Sequence, residues 1–424
     1  MKKVLIIGHF WPYRGGSKRI MGLAKYLTEF GWEPIILTGP LKERPEKKFR
    51  FIENDYPCFL GSWVRLFGFS DRVDITDQFQ KKINKSSSKV KSFLRFLYWQ
   101  IGKLFAYPDR DKYWKSFGIK AAEELFKKEK IDAIISVWPA TSHLIAQRLK
   151  EKYKIPWIAD FPDLWSQNYD YRYGRIRKAI DRKLEVKTIN SADFLTTISQ
   201  PLAEKLGILH INKKIFVIPH GFNLKEVNEL PAPLTKKFTI TYTGQIYTGK
   251  QNPLKILTAL KELILERKIN PDDIEVRFFG PERDWLNKEI KNRGLNIVVA
   301  QYGQASRQVS LKKQRESQIL LLLNWENENQ KGVYTGKIFE YLAARRLILA
   351  TGGFRGDVVE ELLEETKAGV YAIPVDEIKK NLIEFYQEYK QKGKVIFKGN
   401  IETINKYSEP EMTRKFADLL NLLV

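Results

Sequence analysis

A chain of 424 residues is about two to three times the size of a typical domain, so two separate cores are expected and a single domain is disfavoured. With 43% hydrophobic residues, ten Trp, nineteen Tyr and twenty-five Phe, it has the packing material of a globular protein and not of a disordered one. The lone Cys58 rules out an internal disulfide or a thiolate cluster, and His9, His143, His210 and His220 show no metal-ligand spacing, so neither zinc nor redox chemistry is indicated.

The opening MKKVLIIGHF runs into Trp11-Pro12 and charged residues instead of a small-residue cleavage site, so it reads as a first strand and predicts a cytoplasmic protein. The loop HFWPYRGGS, His9 to Ser17, follows it. Gly15 and Gly16 there would let backbone N–H groups approach an anion at a helix N-terminus, although a glycine pair also serves as a plain turn. Next comes a basic stretch. Residues 81–105 hold seven Lys or Arg and no Asp or Glu, ending in FLRFLYWQIGKLF. As a helix, this would place Leu94, Leu97, Tyr98, Ile101 and Phe105 on one face. It is too short to span a bilayer, and it suits either an amphipathic helix in an anionic headgroup layer or a core helix with a solvated basic approach. The net charge of +23 requires a polyanionic partner or surface, and nucleic acid is the less favoured of these because no recognisable nucleic-acid module accompanies it.

KVLIIG, EPIILTG, AIISVW, PWIAD and FLTTIS read as strands, each followed by a helical pattern or a turn, and the order implies a parallel, doubly wound sheet. The alternation restarts after ELPAPLTKK with FTITYTG, a helix around Pro253 to Arg267, IEVRFFG, IVVAQYG, ILLLLN and LILATGG. Two α/β domains follow, with a hinge between about Val217 and Lys237. In such sheets ligands gather at the carboxyl ends of the strands. DFPDLW, Asp160 to Trp165, follows PWIAD at such an end, and its carboxylates could orient a hydroxyl or stabilise positive charge. Asp163 equally suits a helix N-cap. VWPATSH ends another strand of this sheet and makes His143 a candidate lining residue.

VIPHGFN, YTGQIYTGKQNP and TGKIFEYLAARRLILATGGFRGDVVEEL together resemble the retaining "group 1" (family 4) glycosyltransferases, which build bacterial surface polysaccharides and lipid-linked glycans. The resemblance runs over nearly the whole chain, and its most specific part is the segment from Lys337 to Ala350. It implies a GT-B fold, two Rossmann-like domains facing a central cleft: residues 1–218 for the acceptor, with 81–106 facing a membrane, residues 219–405 for the nucleotide-sugar, and 406–424 as a helix crossing back. By the same resemblance Glu340 accepts hydrogen bonds from the donor ribose. Gly15, Gly16, Gly244, Lys250 and the amides of Thr335, Gly336 and Lys337 hold the donor diphosphate, while Asp160 and Asp163 are the catalytic carboxylates. Fixed positive charge at the diphosphate leaves no divalent metal or other cofactor required.

The chain departs from the family pattern at two places. Gly332 stands where many relatives have a glutamate near the donor sugar, with Glu326 and Glu328 at the wrong spacing, and Gln245 stands where an arginine is expected. The implied activity is transfer of a sugar from a nucleotide-sugar, UDP- or GDP-linked, to a lipid-linked or polysaccharide acceptor at the inner face of the cell membrane. A GT-B sugar-nucleotide epimerase and a non-enzymatic membrane- or nucleic-acid-binding scaffold remain as alternatives.

Overall fold

The computed structural model describes residues 1–8, 15–41, 49–56, 107–109, 111–171, 173–227 and 232–424. The basic aromatic segment 81–106, His9 and Cys58 lie outside the described residues.

The chain divides into two compact units. The first comprises Met1–Thr197, Ala203–Phe216 and Phe416–Val424; the second comprises Ile198–Leu202 and Val217–Lys415. The first unit is built on a seven-stranded sheet of β1 (Lys2–Ile7), β2 (Trp32–Thr38), β3 (Arg50–Glu53), β4 (Ala133–Val137), β5 (Trp157–Phe161), β6 (Phe194–Thr197) and β7 (Lys214–Val217). Its order is β3-β2-β1-β4-β5-β6-β7, and the pairings from β3 to β6 are parallel. Helices α1 (Gly15–Tyr26), α2 (Trp114–Lys128), α3 (Ala140–Tyr153), α4 (Arg175–Ile189) and α5 (Gln200–Leu209) join the strands.

The second unit repeats the scheme with β8 (Phe238–Thr243), β9 (Ile274–Phe279), β10 (Val299–Gln301), β11 (Ile319–Leu323), β12 (Leu347–Thr351) and β13 (Gly369–Ala372), in the order β10-β9-β8-β11-β12-β13, all parallel. Its helices are α6 (Leu224–Val227), α7 (Leu254–Leu265), α8 (Asp284–Asn292), α9 (Arg307–Arg315), α10 (Gly336–Ala344), α11 (Val358–Thr366), α12 (Val375–Lys392) and α13 (Ile401–Asn405). The last helix, α14 (Glu409–Leu423), begins in the second unit and contributes its residues from Phe416 onward to the first.

The sequence explains the double covering of the second sheet. Successive side chains of a strand point to opposite faces. Ile319, Leu321 and Leu323 of β11, with Leu347 and Leu349 of β12, enter one core with α7 and α12. Leu320 and Leu322, with Ile348 and Ala350, enter another with α10 and α11. A strand buried on both faces has no polar alternate, which is why ILLLLN and LILATGG read as continuous apolar runs. β1 behaves alike, with Val4 to Ile7 wholly buried. The predicted doubly wound parallel sheets are borne out.

In each sheet the strand order reverses at one point, between β1 and β4 in the first and between β8 and β11 in the second. Loops at the carboxyl ends of those strands diverge there and leave a crevice for ligands. Among the described residues no helix is long and apolar enough to cross a membrane.

Candidate active site

At the reversal point of the second sheet, two loops are tied together. The Glu326 amide, just after β11, donates to the Lys250 carbonyl, in the loop after β8, at 2.9 Å. Gln251 is buried and donates from Nε2 to the Leu323 carbonyl at 2.7 Å, while its Oε1 accepts from the Tyr247 amide at 3.1 Å. This pinning places the Lys250 ammonium 6.0 Å from the Trp325 ring centroid, in cation–π range.

Gly244 ends β8 with φ +113°, a conformation in which a side chain is strained. A Cβ there would also sit 2.4 Å from Cε of Lys337 and 3.2 Å from its Nζ. The absent side chain is therefore what lets Lys337 lie across the strand end, with its ammonium 5.1 Å from the Tyr242 ring centroid. Sequence reasoning gave Lys337 a backbone role only; its side chain is equally placed for an anion. The signal was a glycine closing a strand of β-branched and aromatic residues.

Lys337 is the second residue of α10. Thr335 occupies the N-cap position, yet its hydroxyl makes no capping bond and Oγ1 is buried without a partner. The helix thus begins without the side-chain acceptor that usually satisfies its first amides. An amide terminus of this kind, with the helix dipole behind it, attracts an anion. The Tyr341 hydroxyl accepts from the Thr243 amide at 3.0 Å and fixes α10 against the end of β8.

Glu340, half-buried on α10, holds the Arg307 guanidinium at 2.9 Å. Arg307 opens α9 after Gly303, and sequence reasoning missed it; a basic residue opening a helix just after a strand-end glycine, as in QYGQASR, was the available signal. Gln245, where an arginine was expected, is exposed, and its carbonyl accepts from the Tyr242 hydroxyl at 2.8 Å. Gly332 has φ +92°, and its carbonyl accepts from the Ser199 hydroxyl at 2.6 Å. A Cβ at Gly332 would stand 2.8 Å from the Pro201 Cβ and 2.9 Å from the Ser199 Oγ, so the missing family glutamate has no room on this backbone. His220, in the turn that resembles the family's domain-junction motif, packs edge-on against Phe339.

The first unit places its candidates differently. Gly15 and Gly16 open α1, one turn before Arg19. Asp160 ends β5 fully buried: Oδ2 accepts from Arg19 Nε at 2.6 Å, and Oδ1 accepts from Arg19 Nη2 at 2.9 Å and from the Thr196 hydroxyl at 2.6 Å. Arg19 also lies over the Phe416 ring, 4.9 Å from its centroid. The reading of Asp160 as a carboxylate facing an acceptor hydroxyl is corrected: its oxygens hold α1 through a buried, two-point ion pair. Asp163, three residues on, reaches solvent, and the protein packed around it raises its carboxyl above the ordinary range by desolvation.

His143 is also corrected. It is fully buried at the start of α3, stacked on Phe161 at 4.6 Å, and does not line an open site. The Trp157 indole donates to Ser136 Oγ at 2.8 Å, and Ser136 Oγ lies 2.7 Å from His143 Nδ1. Burial, aided by His210, pushes the His143 pKa down to about 3, so the ring is neutral. Near it, Asp109 caps α3 from a distant segment, accepting from the Thr141 amide at 2.6 Å and its hydroxyl at 2.7 Å. Desolvation, and then Asp111, raise its pKa to about 6.

Residues 89–226 match the Glycosyltransferase Family 4 family. No curated protein matches the chain by sequence. Among solved structures, sucrose-phosphate synthase from Thermosynechococcus elongatus superimposes with a TM-score of 0.61 at 12% identity, covering 100% of this chain and 99% of its own. A glycosyltransferase from Rickettsia africae ESF-5 gives 0.60 at 16% identity, covering 100% and 98%. The UDP-GlcNAc 2-epimerase from Methanocaldococcus jannaschii gives 0.54 at 14% identity over 100% of both chains. At these identities the structural likeness shows the fold, and the family match is confined to residues 89–226. The chain has the GT-B fold and carries a Glycosyltransferase Family 4 domain over residues 89–226.

Proposed function

We propose that the chain moves a sugar, with retention of anomeric configuration, from a UDP- or GDP-sugar to a hydroxyl of a lipid-linked or surface-polysaccharide acceptor. The observation that carries this reading is the start of α10, where an uncapped helix terminus meets the Lys337 side chain over Gly244. A nucleoside diphosphate leaving group develops negative charge as the sugar C1–O bond breaks. Fixed cations and amides at that point stabilise the transition state more than the ground state. Lys250, Lys337 and the amides of Thr335, Gly336 and Lys337 are assigned to the diphosphate, and Glu340 to the ribose hydroxyls. These charges do the neutralising work, so no metal is assigned. Gly15 and Gly16, at the start of α1, are assigned to the phosphates as well.

In the retaining step the acceptor oxygen bonds to C1 on the face the leaving group departs, and the acceptor proton passes to the departing phosphate oxygen. Asp163 is assigned to orienting that hydroxyl, and Asp160 to positioning α1 through Arg19. The protein is assigned to the cytoplasm, peripheral on the inner face of the membrane.

The test is thermal unfolding of the purified chain with UDP-, GDP-, TDP- and CMP-sugars, beside Glu340→Ala. A sugar nucleotide at about one hundred times its Kd adds about 2.7 kcal/mol to the native state. A selective rise in Tm that Glu340→Ala abolishes supports the donor site and names the nucleotide; no rise with any of the four overturns it. Conversion of the donor to its sugar epimer without an acceptor would replace transfer by epimerisation.

A further inference from the structure

α4 carries an exposed face of an unusual kind. Its sequence, RIRKAIDRKLEVKTI, has two acidic residues, Asp181 and Glu185, and the fold buries both, at 1% and 0% exposure. Asp181 accepts from Arg177 Nε and the Tyr171 hydroxyl, and Glu185 accepts from the Ser166 amide at 2.9 Å. Turning the carboxylates inward leaves the outer side to Arg175, Lys178, Arg182, Lys183 and Lys187, all exposed. Between these cations stand apolar side chains that a solvent-facing helix has no use for: Ile176 at 82% exposure, Ile180 at 47% and Val186 at 39%.

At 100° per residue, Ile176, Lys183, Ala179 and Lys187 line the centre of this face, with Ile180 and Val186 just beside them and Arg175, Arg182 and Lys178 along one flank. The turn after α5 adjoins the C-terminal end of the helix, since Lys213 Nζ donates to the Asn190 carbonyl at 2.7 Å and the Ala192 carbonyl at 2.6 Å. The last turn of α5 adds Ile208 at 70% exposure, and the turn after it adds Ile211 at 83%. The nearby Asp193 is occupied by Lys150 at 2.7 Å.

We propose that this face of α4, with Ile208 at the end of α5 and Ile211 just after it, docks the enzyme on an anionic lipid surface. Isoleucines interleaved with long basic side chains fit an interface where the apolar groups enter the acyl boundary and the ammonium groups reach back to phosphate. A purely polyanionic partner such as RNA would use the cations and leave the isoleucines without a function. The proposal uses described residues of the first unit alone and rests on neither the reading of segment 81–106 nor that of the donor site.

The experiment is cosedimentation of the full chain with vesicles of phosphatidylcholine alone and of phosphatidylcholine with phosphatidylglycerol. Two variants accompany the parent, Ile176→Gln with Ile180→Gln, and Arg182→Gln with Lys183→Gln; thermal melts with a donor sugar nucleotide report folding and the donor site in each. The parent is expected on the anionic vesicles and not on the neutral ones. Each variant should lose about tenfold in partitioning while keeping the parent's donor response. Vesicle binding that both variants retain would place membrane attachment elsewhere and overturn the proposal. So would an absence of vesicle binding by the parent. Loss in the charge variant alone, with duplex RNA bound equally well by the isoleucine variant and the parent, would make the face a nucleic-acid site and overturn it too.

Discussion

The two sheets share a topology and treat their strand-end polar residues in opposite ways. In the first unit Asp160 and His143 stand near carboxyl strand ends and are wholly enclosed, one by Arg19 and Thr196, the other by Ser136, Phe161 and Trp157. In the second, Lys250, Lys337 and Glu340 are held partly open by glycines and an uncapped helix start. The same position in a fold therefore serves scaffolding or chemistry according to whether a long-range partner closes over it. Arg19 and Asp160 are 141 residues apart, and that separation is what hid the closure from the sequence.

The largest expected effect tests that difference directly. Asp160→Ala leaves the Arg19 guanidinium buried without its counter-charge, and breaking such a pair costs about 3–5 kcal/mol. Urea unfolding should show this loss, while the folded fraction keeps its sugar-nucleotide response. Glu340→Ala should do the reverse, because Glu340 is only half-buried and its Arg307 partner is exposed. If Asp160→Ala keeps full stability and loses only turnover, the carboxylate is a substrate ligand and the comparison fails.

A smaller effect is expected at Gly332. Gly332→Ala forces a side chain into φ +92° and into contact with Pro201 and Ser199, costing about 1–3 kcal/mol through strain and overpacking. Gly332→Glu should cost more and should not improve use of any donor, since the glutamate cannot take the position it holds in relatives. A gain in turnover with Gly332→Glu would show that this loop opens when substrate binds.

Most of the architecture was legible because buried parallel strands leave apolar runs too long to mistake. AIISVW became Ala133–Val137, ILLLLN became Ile319–Leu323, and the helix read around Pro253 to Arg267 spans Leu254–Leu265. The strands that escaped were β3, β7 and β13, each four residues long and each at the edge of its sheet. An edge strand has one neighbour and a partly solvated face, so it needs no long apolar run. The site was legible where local backbone makes it, at Gly244 and the start of α10. It was illegible where distant partners decide it: Arg307 on Glu340, Ser199 on Gly332, and Arg19 on Asp160.

The last effect concerns two desolvated groups of the first unit, the enclosed His143 and the half-buried Asp109, and its sign separates them. Asp109 has its pKa raised from 3.8 to about 6, so between those values the native state holds a proton that the unfolded chain has released. Its contribution to stability is present at low pH and is lost as pH rises through about 6, a slope near −1.4 kcal/mol per pH unit. His143 has its pKa lowered from 6.5 to about 3, so over the same range the unfolded chain binds a proton that the native state refuses. Its contribution is present above pH 6.5 and is lost as pH falls, with a slope near +1.4 kcal/mol per pH unit. From pH 4 to 6 the two slopes oppose each other, and wild-type stability should change little on their account. Asp109→Asn removes the negative slope, so unfolding midpoints should climb with pH relative to wild type. His143→Leu removes the positive one, and midpoints should fall with pH by a similar amount. Parallel pH profiles for all three proteins would mean that neither group is desolvated as its surroundings require, and the enclosure that distinguishes the first unit from the second would be lost.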